Sequence, residues 1–107
     1  MSEMASFRRD DRPEVPCLGV EGEIDLENVD EFAEGVAKLI SDARWQTVLD
    51  LTGVTFFGST AIGALVMAEG LAQERGIHLV VVPSAIVRRV LEVTGMTGAF
   101  ELRDDAA

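Results

Sequence analysis

The sequence predicts an α/β fold with a mostly parallel central sheet, and three observations carry that prediction. Segments with apolar residues at helical spacing alternate along the chain with short runs of strand type. The run Ile77-His-Leu-Val-Val-Val82 is almost continuously apolar, as in a strand covered on both faces. At 107 residues, 48% of them hydrophobic, the chain has the apolar content for one core of ordinary size. One domain over 1–107 is therefore expected.

Taken in order, Met4 to Arg9 is expected as an edge strand and Asp10-Asp11-Arg12-Pro13 as a polar turn, since Asp and Pro disfavour continued pairing. Cys17 to Ile24 partly alternates apolar and polar residues, the pattern of a strand with one face on the core. After Asp25, the positions Leu26, Val29, Phe32, Ala33, Val36, Leu39 and Ile40 recur at steps of three and four, which puts them on one helical stripe. Asp25 is the expected N-cap, and Trp45 is placed to cover the end of the core. Thr47 to Leu51 is the next strand, with Asp50 its one strongly polar position.

Ser59 to Arg75 is the second long helix, with Ile62, Leu65, Val66, Ala68, Leu71 and Ala72 on a broad apolar face and Gly76 as its stop. Pro83 ends the strand over 77–82. A last helix from Ser84 to about Thr94 turns Ile86, Val87, Val90 and Leu91 inward, and Gly95 permits a left-handed exit. Phe100 to Leu102 is a short final strand or a docked tail. Right-handed crossovers gather Glu23-Ile24-Asp25, Gly58-Ser59-Thr60 and Pro83-Ser84 along one edge, beyond the C-terminal ends of the strands. Function is sought there.

Charge narrows the partners. With 9 basic against 19 acidic residues the net charge is −10, which opposes direct binding to nucleic acid or to an anionic membrane and leaves a protein partner open. No apolar run is long enough to span a bilayer, and the N-terminus lacks a signal-peptide pattern, so a cytoplasmic location is expected. Cys17, the single cysteine, sits in an apolar stretch and is expected as a buried filler. No Cys/His spacing or carboxylate cluster suggests a metal, and no cofactor is expected.

Catalysis lacks its usual parts. Gly53-Val-Thr-Phe-Phe-Gly58 joins a strand to a helix with glycines spaced as in a phosphate-binding P-loop, but Ser59 stands where the phosphate-contacting lysine is required. Ser59 lacks the flanking glycines of a nucleophile elbow, and a triad with His78 and Asp50 relies on a lone histidine at a strand start. Ser59 and Thr60 have a plain structural alternative as helix caps. Against it stand Phe56-Phe57, a bulky apolar pair before the turn, and Gly58, which admits close approach by another chain.

The stretch Val48-Leu-Asp-Leu-Thr-Gly-Val-Thr-Phe-Phe-Gly-Ser-Thr-Ala-Ile-Gly-Ala-Leu65 resembles the STAS-domain signature of bacterial anti-sigma factor antagonists. In that signature Asp-Leu-Ser-Gly-Val leads to an Asp-Ser-Ser/Thr-Gly turn and then a helix. Val20-Glu-Gly-Glu-Ile-Asp25 is similar to the family's Gly-Glu-Leu-Asp segment, and Val87 to Met96 to its last helix and exit. The resemblance implies a STAS-like sheet of four to five strands with an antiparallel edge strand, covered by about three main helices. It implies no enzyme but a partner switch. Unphosphorylated, the protein binds an anti-sigma factor serine/threonine kinase and frees a sigma factor for transcription; phosphorylation on the turn ends the binding, and a protein phosphatase restores it.

Matched position by position, the phosphoacceptor falls on Thr60, with Ser59 the alternative, and the partner-binding set on Glu23, Asp25, Gly58, Ser59, Thr60, Ile62 and Gly63. A homodimer is left open. Two positions depart from the pattern: Gly58 replaces the acidic residue before the acceptor pair, and Ala61 replaces a glycine. The first motivates an alternative, a non-phosphorylated STAS subunit docking on a membrane transporter's ATPase. A small hydrolase using Ser59 is the third.

Overall fold

In the computed structural model, which describes residues 4–11 and 15–104, five strands form one sheet in the order β1-β2-β3-β4-β5. They are β1 (Ala5–Asp11), β2 (Pro16–Ile24), β3 (Gln46–Phe57), β4 (His78–Pro83) and β5 (Glu101–Leu102). Helices α1 (Val29–Asp42), α2 (Ser59–Arg75) and α3 (Ala85–Val93) connect the parallel strands. β1 runs antiparallel to β2, and every other neighbouring pair is parallel, which is the expected sheet.

β3 departs from its expected length. It continues past Leu51 to Phe57, so Gly53 to Phe57 is strand and Gly58 alone links it to α2. Its register against β2 shifts between Gly19 and Glu21 and again between Gly22 and Glu23. Each irregularity resets the alternation of side chains, so Leu51, Val54 and Phe57, spaced by threes, all join the core under the helices. A strict period of two does not detect such a strand. Gly53 allows the close pairing, since a Cβ there would lie 2.6 Å from Glu21 Cγ. Gly22, at φ +100°, occupies the left-handed region, and a Cβ there would collide with the Met4 carbonyl oxygen, which accepts from Glu23 N at 2.8 Å.

The core draws Phe32, Val36, Leu39 and Ile40 from α1, Leu65 from α2, and Val87 and Leu91 from α3 onto Leu18, Val20, Leu49, Leu51, Leu79 and Val81 of the sheet. Phe32 meets Phe57 edge-on, with centroids 5.9 Å apart and planes at 90°. Residues of the opposite parity, Cys17, Val48, Val80 and Val82, form a second buried cluster with Val15 packed against it. Cys17 is thus the filler it was expected to be. Thr47, also buried, donates its hydroxyl to the Pro16 carbonyl at 2.7 Å.

Several local expectations are corrected. β1 runs on through Asp10 and Asp11, which pair with Cys17 and Pro16, because on an edge strand an acidic side chain can still face water. The rest of the expected turn, Arg12-Pro13, lies outside the described residues. α1 begins at Val29, not after Asp25, so Leu26 is 73% exposed and Ala33 also faces solvent. Trp45 is 53% exposed and covers no core; its backbone serves instead, its carbonyl accepting from His78 N at 2.9 Å. Val66 and Ile86 lie on outer helix faces, Val90 is half-buried, and β4 ends at Pro83 as expected, with Pro83 its last residue. Gly76 and Gly95 adopt left-handed φ of 68° and 72°, as expected of helix exits.

Two measurements check this architecture. Phe32→Ala removes a fully buried ring, so denaturant unfolding should show a loss of about 3–5 kcal/mol. Asp42 accepts from Arg9 Nη2 at 3.0 Å, tying α1 to β1, and from Lys38 Nζ at 3.3 Å; these bonds hold its carboxyl below the ordinary 3.8. A depressed folded pKa gives stability that is present above the ordinary value and lost as pH falls through the folded one. Asp42→Asn should therefore lower the melting temperature at neutral pH, and the difference from the parent should shrink as the pH falls below the ordinary carboxylate value.

Candidate functional site

Two neighbouring parallel strands end together. Ile24 of β2 pairs with Phe57 of β3, and the next amide, Gly58 N, donates to the Ile24 carbonyl at 3.0 Å. The residues that follow, Asp25 and Gly58, are thereby brought side by side.

On the β2 side the chain makes a tight turn before α1. Asn28 N donates to the Asp25 carbonyl at 3.0 Å, and the Asn28 side chain reaches back twice, accepting from Asp25 N at 2.9 Å and donating to the Glu23 carbonyl at 2.8 Å. Asn28 is the residue preceding the helix, but its side chain caps the strand exit and not the helix. This is why Asp25 is not the N-cap: the turn spends 25–28 before helical bonding starts. On the β3 side, the Gly58 carbonyl accepts from Ala61 N at 3.0 Å and Ile62 N at 3.1 Å, which starts α2 at once.

Gly58 has an ordinary extended backbone, φ −74° and ψ 173°. Its need for glycine is a matter of space: a Cβ there would lie 2.8 Å from Asp25 Oδ1 and 3.5 Å from Phe56 Cε2. The Asp25 carboxylate thus rests against the Gly58 backbone. This chain lacks an acid at position 58 but has one pressed on it from the adjacent strand.

The structural alternative for Ser59 and Thr60, a role as helix caps, is not what they adopt. Gly58 is the N-cap residue without a side-chain bond, both hydroxyls are exposed, and neither has a hydrogen-bond partner among the described residues. α3 shows the contrast, since Ser84 Oγ accepts from Val87 N at 3.2 Å. The start of the 17-residue α2 keeps unsatisfied amides and the positive end of its dipole next to two unbonded hydroxyls.

Of the remaining predicted site residues, Glu23 is exposed opposite Phe56, Ile62 packs partly against the core, and Gly63 is exposed with open space where a Cβ would point. Pro83-Ser84 does not join them. Pro83 pairs with Leu51, six positions before the end of β3, on the order of 20 Å back along the strand. The hydrolase arrangement fails by the same register: His78 pairs with Gln46 at the far end of β3 and bonds Glu101 at 3.1 Å, while Asp50 accepts from Thr52. Gly53 to Gly58 is no phosphate-cradling loop, being strand up to its last residue.

Sequence reasoning singled out Phe56 in the apolar pair before the turn but missed the groove that lies beside it. Phe56 is 45% exposed beside Gly58. Between α1 and α2 lies an apolar groove of about 1050 Å³, with Thr60 and Gly63 in its lining and Met67, 77% exposed, on its wall. The signal was present in α2, whose apolar residues are too many for one inward stripe. Among the described residues no helix is long and apolar enough to cross a membrane.

A family model described as Mlab, STAS domain, matches residues 7–104. The anti-sigma-F factor antagonist RsfB of Mycobacterium tuberculosis is 27% identical over 88 residues, covering 82% of this chain and 72% of the relative. The crystal structure of an anti-sigma factor antagonist from Mycobacterium paratuberculosis superposes with a TM-score of 0.83 at 24% identity, over 94% of this chain and 86% of that one. The Bacillus cell fate determinant SpoIIAA in its phosphorylated form superposes with a TM-score of 0.69 at 16% identity, over 94% and 93%.

Stability separates the hydroxyls that cap from those left open. Ser84→Ala should cost about 1 kcal/mol, whereas Ser59→Ala and Thr60→Ala should each stay within about 0.5 kcal/mol of the parent in the same denaturant titration. Gly58→Asp, which restores an acid at 58 but sets it on Asp25, should destabilise by about 1–2 kcal/mol at low salt and by less at high salt.

Proposed function

Since the chain belongs to the STAS domain family, we propose that it is an anti-sigma factor antagonist acting as one STAS domain and switched by phosphorylation of Thr60. The observation that carries this reading is the Thr60 hydroxyl, exposed and unbonded at the start of α2 beside the Asp25–Gly58 contact. Unmodified, the turn presents a small hydroxyl, the exposed Phe56 ring and the Glu23–Asp25 segment to an anti-sigma factor kinase. Binding there withdraws the kinase from its sigma factor.

In the transfer step the Thr60 oxygen attacks the γ-phosphorus of the kinase's ATP. The bond to ADP breaks, and the hydroxyl proton passes to a base of the kinase. The product adds about −1.5 to −2 charges at a helix N-terminus, where the dipole and open amides favour an anion. No cap is lost in the process, so the fold persists while bulk and charge enter a contact that had been desolvated. SpoIIAA, a protein of similar fold, has been solved in both unphosphorylated and phosphorylated forms. A protein phosphatase that hydrolyses the ester resets the switch. The relatives reported above are named as anti-sigma factor antagonists, so the transporter-subunit alternative is not carried forward.

The test is incubation with a cognate anti-sigma factor kinase and ATP, followed by peptide mass spectrometry and binding measurements. One phosphoryl group on Thr60 is expected, Thr60→Glu should weaken kinase binding at least about tenfold, or 1.4 kcal/mol, and Ser59→Ala should still be modified. A kinase that binds but leaves both Thr60 and Ser59 unmodified would refute the switch.

A further inference from the structure

The groove between α1 and α2 is a surface feature that the hydroxyl switch leaves mostly unused. It runs from Thr60 to Glu74 of α2, a stretch of fifteen residues that rises about 21 Å along the helix. Its floor is made of short side chains, among them Ala33, Ala37, Ala64 and Ala68, and Met67 stands over it as a soft, adaptable wall. Short side chains leave room for large ones from outside, and the length fits about four turns of a docked helix.

The charge of the rim selects among occupants. Asp30 and Glu74 are the charged residues of the lining, Glu31 and Glu34 lie exposed along α1, and the one Lys of that helix, Lys38, is held by Asp42 at 3.3 Å. A second copy of this chain, or an anionic lipid, would bring negative charge to an acidic rim.

We propose that this groove receives an amphipathic helix of the partner protein, with large apolar residues on one face and Lys or Arg on its flanks. The inference deepens the antagonist reading by naming the chemistry of the element that the partner docks, and Thr60 at the groove's end joins the two sites. Apolar contact along the groove supplies affinity and the acidic rim sets orientation. The partner is thus held over a strip of α2 in addition to the turn.

The test needs neither kinase nor ATP, so it fails or succeeds apart from the switch. The probe is a synthetic 14-residue amphipathic peptide of Leu and Lys at helical spacing, titrated into the full isotope-labelled chain, with a Leu/Glu counterpart and a scrambled Leu/Lys peptide as controls. Expected are amide shifts concentrated at Ala33, Ala37, Gly63, Ala64 and Met67, and binding at least tenfold weaker for both controls. Met67→Lys, at a position too exposed to disturb folding, and Ala37→Arg should each weaken the Leu/Lys peptide at least tenfold, with melting temperature confirming the fold. No binding, shifts centred elsewhere, or equal binding of the scrambled peptide would overturn the proposal. A dimer in sedimentation that Met67→Lys dissociates would overturn it too, by assigning the groove to a second copy.

Discussion

The site depends on where β2 and β3 stop relative to one another. Parallel pairing carries both strands to the same end, and the bond from Gly58 N to the Ile24 carbonyl closes the ladder there. Every part of the candidate site is referred to that bond: Asp25 is the residue after the acceptor, Gly58 is the donor itself, and α2 begins one residue later. The core enforces the same alignment, because Ile24 and Phe57 are both buried and Phe57 is braced by Phe32. Sliding either strand by one residue would turn a buried side chain outward, so the turn cannot drift without cost to the core.

Much of this arrangement is legible in the chain. Ile77 to Val82 is apolar but for His78, and Leu79 to Val82 became the part of β4 buried on both faces, while the spacing of Phe32, Val36, Leu39 and Ile40 located the inner face of α1. The central segment was harder, for a physical reason. Leu51, Val54 and Phe57 share a face only because irregular pairing with β2 resets the alternation, a property of two strands together. Likewise Asp25 looked like a helix cap until Asn28, three residues on, proved to hold the strand exit. Resemblance marks Thr60 as the candidate acceptor, and only the folded chain shows a hydroxyl that caps nothing among the described residues.

Gly58 illustrates how a departure from a motif can be compensated in space. Read along the chain, it removes an acid from the turn. Across the sheet, Asp25 presses a carboxylate oxygen on that same backbone, and the missing side chain is what makes room for it. The negative charge near the turn is thus supplied by the residue that follows the neighbouring strand, and its position depends on the Asn28 bonds that shape the 25–28 turn.

The outward apolar character of α2 also bears on how the molecule behaves in a crowded solution. Met67 and Val66 lie exposed on a helix whose small residues offer little polar cover. Such a strip invites association between copies, and what opposes it is the net charge of −10, which makes each molecule repel its like at neutral pH. Acidity therefore gives colloidal protection to a helix face that carries exposed apolar residues. That protection weakens as the pH approaches the isoelectric point of about 4.3 expected from the sequence, where net repulsion between copies is lost.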